Sequence, residues 1–78
     1  MRSEVQKLVS VVLNSDVGWT EKGKASVVDS LQMGLEISYP NLCLLLEVAI
    51  GSRDPTLHVF VLEMARKNST FCAIHGGI

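Results

Sequence analysis

Two cysteines and two histidines are the residues that could give this chain a metal site. Cys72 and His75 have Cys-x2-His spacing, and Cys43 and His58 could complete a set of four ligands. Zinc is commonly bound by such thiolates and imidazoles. A structural zinc site, however, usually shows two closely spaced ligand pairs, and here only one pair is close. We therefore expect neither a metal nor another cofactor.

The same side chains could in principle form a nucleophile and its base, with Cys72 paired to His58 or His75. Such a pair needs a general base within hydrogen-bonding distance and a third group that orients the base. No oxyanion loop or substrate cleft is evident, and a chain of 78 residues rarely builds one. The sequence therefore predicts a protein that is not an enzyme.

Basic side chains could form a nucleic-acid surface if the second and fourth predicted helices lie side by side. Their phosphate contacts would come from Lys22, Lys24, Arg53, Arg66 and Lys67. The formal net charge is only -1 and aromatic residues make up 5% of the chain, which is too few for a base-stacking platform. A small nucleic-acid-binding dimer is therefore the alternative function rather than the preferred one.

The single tryptophan, Trp19, precedes Thr20, which is a good N-cap for a helix. A residue in that place often packs on the first helical turns, but its partners there would be Gly23 and Lys24, which are not large apolar residues. Trp19 must therefore pack in the core or on a partner. The predicted interface consists of Trp19, Leu57, Phe60 and Met64.

The run Leu42–Ile50 contains a single charge in nine positions. A segment that is apolar on every side must be covered on every side, and a small domain has little material for this. The chain is 47% hydrophobic and 19% charged, against a usual charged fraction of roughly 25%. Because excess apolar surface commonly forms an interface, we predict a protein–protein interaction module that binds itself, or another protein.

Helical periodicity is clear in the N-terminal half. Apolar residues recur at i, i+3, i+4 and i+7 within residues 3–14, which predicts a first amphipathic helix. A second helix should follow the Thr20 cap and end near Gly34. Tyr39-Pro40-Asn41 reads as a boundary, since the residue before proline avoids the helical region.

In the C-terminal half, Leu42–Ile50 should be a third helix that Gly51 ends. Asp54-Pro55 is a strong start signal for a fourth helix running to Lys67. Residues 69–78 contain one short apolar segment and are expected to be a flexible tail. The thiol of Cys43, inside the apolar run, is expected to be buried and reduced.

These elements predict one domain over residues 1–78 with an all-α fold, a small four-helix bundle. The alternative is an α+β fold in which two helices pack on a β-hairpin, because residues 42–50 and 57–62 are also rich in residues that strands favour. We find no signal peptide, and the apolar run is shorter than the roughly 18–20 residues of a membrane span. We therefore expect an intracellular protein, in the cytoplasm.

Overall fold

A computed structural model describes residues 3–76, which form five α-helices and no strand. The helices are α1 (Ser3–Leu13), α2 (Glu21–Met33), α3 (Tyr39–Ser52), α4 (Pro55–Arg66) and α5 (Ser69–His75). The predicted all-α class is confirmed. The hairpin alternative is wrong, because both segments that could have been strands are helical.

The second helix begins and ends where its capping residues predict. The Gly23 N–H donates to the Thr20 Oγ1 at 2.9 Å, which satisfies one of the free N–H groups of the first turn. At the other end Gly34 adopts a left-handed conformation with φ 70°, and its N–H donates to the Ser30 carbonyl. A glycine takes this conformation without the steric cost that a side chain would add.

The third helix is longer than predicted at both ends. Tyr39 and Pro40 lie in its first turn, where proline is tolerated because that N–H has no helical partner. The predicted terminator, Gly51, lies inside the helix, and Arg53 takes the left-handed C-cap position with φ 56°. Proline thus starts this helix instead of separating it from the preceding segment.

Asp54 starts the fourth helix as predicted. Its Oδ1 accepts the Thr56 N–H at 2.9 Å, and Pro55 occupies the first helical position. Only Arg53 and Asp54 separate α3 from α4, and the two helices pack along each other. A connection this short folds the pair into an antiparallel hairpin of helices.

Residues 69–75 form a fifth helix, so the prediction of a flexible tail is wrong for them. Asn68 caps this helix by accepting the Phe71 N–H at 2.9 Å, and its Nδ2 donates to the Ile37 carbonyl at 3.0 Å. Phe71 is buried against the core, which holds α5 in place. Gly77 and Ile78, the rest of the predicted tail, lie outside the described residues.

α1 packs on α2, α3 and α4, while α5 packs on α4. Within the described residues, fourteen apolar side chains are buried in one core: Leu8, Val9, Val12, Val27, Leu31, Ile37, Leu42, Leu45, Val48, Ala49, Leu57, Val61, Ala65 and Phe71. The apolar run therefore lies at the centre as expected, although Leu46 is only half-buried. Cys43 is also half-buried, contrary to the expectation of a buried thiol, because it lies on the side of α3 away from the core residues.

Candidate functional site

An apolar groove of about 470 Å³ lies between α1, the end of α2, the segment 34–38 and the second half of α4. Its lining residues are Val5, Ser30, Leu31, Gly34, Leu35, Glu36, Ile37, Leu42, Phe60, Met64, Lys67 and Asn68. The volume falls within the range of about 300–1,000 Å³ that is usual for binding clefts. This groove is the candidate functional site.

The floor of the groove is part of the hydrophobic core. Leu31, Ile37 and Leu42 line it and are buried. Ile37 is not in a helix, and its carbonyl is held by the Asn68 Nδ2. Because this contact joins the segment before α3 to the start of α5, the floor is fixed before anything binds.

One wall comes from α4. Phe60 and Met64 are four residues apart on this helix, so their side chains lie on the same face one turn apart. Both are half-buried and pack against the core with part of their surface. The wall therefore presents an aromatic ring beside a thioether, and methionine adapts its shape readily to a bound surface.

The opposite wall comes from the turn that ends α2. The Leu35 N–H donates to the Ser30 carbonyl at 2.9 Å, which completes the left-handed cap at Gly34. This turn directs Ile37 into the core but leaves Leu35 56% exposed at the edge of the groove. An apolar side chain thus stands in solvent beside an apolar surface.

Two charged residues of opposite sign lie at the rim. Glu36 follows Leu35, and Lys67 follows the last residue of α4. Both are exposed. Among residues 3–76, the groove therefore has an apolar interior with Glu36 as its acidic and Lys67 as its basic lining residue.

The structure brings together two of the four residues predicted for the interface. Phe60 and Met64 line the groove. Leu57 does not belong to any surface: it is 1% exposed, because it faces the core together with Val61. The prediction that Leu57 belongs to the interface is therefore wrong, because this side chain is part of the core.

Trp19 lies apart from the groove, in the connection between α1 and α2. It is half-buried against the core, and its Nε1–H donates to the Ser15 Oγ at 2.8 Å. Because its polar atom bonds within the same connection, Trp19 fastens that connection to the core. A role for its exposed part in an interface stays a prediction.

The five basic residues lie on α2, at the end of α3 and at the end of α4. The Lys24 Nζ donates to the carbonyls of Leu13 at 3.3 Å and Ser15 at 3.0 Å, and so caps the end of α1. Arg53 precedes α4, whereas Arg66 ends it. At 1.5 Å per residue these two positions are about 18–20 Å apart along the helix.

The cysteine and histidine residues do not form a set of ligands. Within residues 3–76 no three His, Cys, Asp or Glu side chains are grouped so that they could hold a metal ion. His58 lies near Arg53 and Asp54, which line a shallow depression of about 220 Å³. The Cys72 thiol donates to the Arg66 carbonyl at 3.1 Å.

His75 takes part in a contact that the sequence did not suggest. Its Nε2 is 2.9 Å from the Tyr39 hydroxyl, and its ring stacks on Phe71 with a centroid distance of 4.2 Å. A hydrogen bond with the Cys43 side chain, then partial burial and the charge of the Cys43 thiolate, raise the pKa of Tyr39 above its ordinary value of 10.0. This cluster joins α5 to the start of α3.

Leu35, Glu36 and Ile37 line the groove but are not among the residues predicted for the interface. The sequence contains a pattern that could have indicated these residues, since two apolar residues follow Gly34, which ends α2, in a segment too short for another helix. Apolar residues in a connection must pack on the core or stand exposed, and here Ile37 does the first and Leu35 the second.

Comparison with known proteins finds no matching protein family, no similar curated sequence and no similar solved structure. Within residues 3–76 every helix falls short of the length and apolar character that crossing a bilayer requires.

Proposed function

We propose that this chain is a non-enzymatic protein–protein interaction module and that the groove is its binding surface. The observation that carries the proposal is an apolar depression of about 470 Å³ with a 56% exposed leucine, Leu35, at its edge. Covering apolar surface contributes roughly 25 cal/mol per Å² removed from water. Covering Leu35 and the apolar lining of the groove would therefore favour association.

The construction of the groove also favours binding. Its floor belongs to the packed core, and the Asn68 contact fixes the segment that contains Ile37. Binding to a surface that is already ordered avoids much of the entropy loss that a mobile surface would suffer. Phe60 and Met64 are suitable anchors, since aromatic and methionine side chains are enriched at the centres of interfaces.

The nucleic-acid alternative has less support. A phosphate surface needs several cations on one face, and Lys24 is engaged at the end of α1 while Arg53 and Arg66 lie at opposite ends of α4. Catalysis has less support still: no cysteine or histidine lines the groove, and within residues 3–76 its ionisable lining residues are Glu36 and Lys67.

Photo-crosslinking tests the proposal. A benzophenone amino acid at position 35 should form an adduct with a protein when irradiated in the producing cell. Position 59 is the matched control, since Val59 is 55% exposed but lies on the outer side of α4. The proposal expects adducts at position 35 that Phe60→Asp removes, and few at position 59. No protein adduct at position 35, or equal adducts at both positions, would contradict it.

A further inference from the structure

We propose that the partner of the groove is a second copy of this chain, related to the first by a two-fold axis. This inference rests on the proposed function and names its partner. An isologous interface needs a patch that is complementary to itself, so that residue i of one copy contacts residue j of the other and j contacts i.

The patch contains both a projection and a depression. Leu35 is 56% exposed at the edge of the groove, and Met33, at the end of α2, is 69% exposed. The depression beside Leu35 is lined by Leu31, Phe60 and Met64. Two copies that face each other can therefore each insert Leu35 into the groove of the other.

The charges at the rim are also complementary to themselves under a two-fold rotation. Glu36 and Lys67 lie at the edge of one groove and have opposite signs. In a two-fold arrangement, Glu36 of each copy can face Lys67 of the other, which gives two equivalent ion pairs. A partner that carries a strong charge of one sign would be attracted by one of these two residues and repelled by the other. Since the net charge is -1, two copies also repel each other little.

The size of the molecule is compatible with such a pair. A stable interface covers about 800 Å² on each partner. This is roughly one sixth of the 4901 Å² accessible surface of the chain.

Charge reversal provides the test, with sedimentation equilibrium of the purified chain at low salt as the measurement. Glu36→Lys and Lys67→Glu should each weaken self-association at least tenfold, because each places like charges opposite one another at two positions. Glu47→Lys and Lys22→Glu are the matched controls, since they make the same charge changes on exposed residues that do not line the groove. The controls should leave the association unchanged.

Mixing the two reversed variants gives the decisive result. In the mixed dimer each reversed residue faces its opposite, so the affinity should return to within about threefold of the original. A contact between Glu36 and Lys67 of the same chain would not be restored by mixing, and that outcome would overturn the two-fold arrangement. Circular dichroism of each variant establishes that its helices are intact.

The two proposals can fail separately. If the purified chain is monomeric at about 100 µM while position 35 still crosslinks to a different protein in the cell, the two-fold pairing is wrong and the interaction module stands. If the chain is monomeric and position 35 crosslinks to no protein, both are wrong. If Leu35→Asp leaves a dimer intact, the dimer uses another surface and this inference is wrong.

Discussion

Arg53 has a backbone conformation that residues with a side chain avoid. Its φ of 56° ends α3, and within residues 3–76 it alone among non-glycine residues has a positive φ. The left-handed conformation costs an L-residue roughly 1–2 kcal/mol. Arg53→Gly should therefore raise the free energy of unfolding by about 0.5–1 kcal/mol after the greater freedom of unfolded glycine is subtracted. Urea denaturation measures this change.

Gly34 provides a control in which the free energy of unfolding should change in the opposite direction. It caps α2 with φ 70°, and no atom would contact a side chain added there. Gly34→Ala should therefore lower the free energy of unfolding by about 1 kcal/mol through the backbone alone. If Arg53→Gly were destabilising while Gly34→Ala behaved as expected, the cap at Arg53 would depend on its side chain rather than on its conformation.

Asn68 joins two parts of the fold through one buried side chain. Replacing it with alanine removes the cap of α5 and leaves the Ile37 carbonyl without its donor. We expect Asn68→Ala to cost about 2–4 kcal/mol, the sum of a lost cap and an unsatisfied buried carbonyl. Thr20→Ala, which removes an exposed cap, should cost about 1 kcal/mol. Equal losses in the two variants would mean that the contact with Ile37 contributes nothing.

At the scale of elements, α5 is attached to α3 through Tyr39, whose pKa is raised. A raised pKa means that the folded state favours the neutral phenol. Its contribution to stability is thus fully present below pH 10.0, and it is lost as the pH rises through the higher pKa of the folded chain. Tyr39 is the single tyrosine of the chain, so the ultraviolet absorbance of tyrosinate follows this residue alone.

Cys43→Ala should move the pKa of Tyr39 back toward 10.0, because the hydrogen bond with Cys43 is the largest cause of the increase. Cys72→Ala is the control, since the Cys72 thiol donates to the Arg66 carbonyl instead. An unchanged titration curve in Cys43→Ala would show that partial burial, rather than the thiol, raises the pKa.

The elements differ in how well local sequence predicted them. Thr20, Gly34, Asp54 and Pro55 act within their own turns, so the bounds of α2 and the start of α4 could be predicted. The end of α3 could not, because the helix continues through Gly51 to Ser52 and a non-glycine residue, Arg53, takes the left-handed cap. α5 is only seven residues long, and helices this short depend on tertiary contacts such as those of Phe71 and Asn68.

At the scale of the whole molecule, the candidate site joins residues that are far apart in sequence. Phe60 and Met64 could be selected because they lie on one predicted helix, but the same reasoning included Leu57, which faces the core. Helical periodicity shows which residues share a face of a helix, but it does not show which face packs against the core. The other wall, from Leu35 to Ile37, becomes part of the site only when α2 and α4 are both in place.

Self-association, if the two-fold pairing is correct, must be visible in the thermal stability of the molecule. A dimer that dissociates on unfolding is stabilised by mass action, so its melting temperature increases with protein concentration. Over a hundredfold range above the dissociation constant, we expect an increase on the order of 5–10 °C for a chain of this size. Leu35→Asp should abolish this dependence, whereas Val59→Asp, at a position of equal exposure, should retain it. A melting temperature independent of concentration in the unmodified chain would show that folding and association are not linked, and that the groove does not bind a second copy.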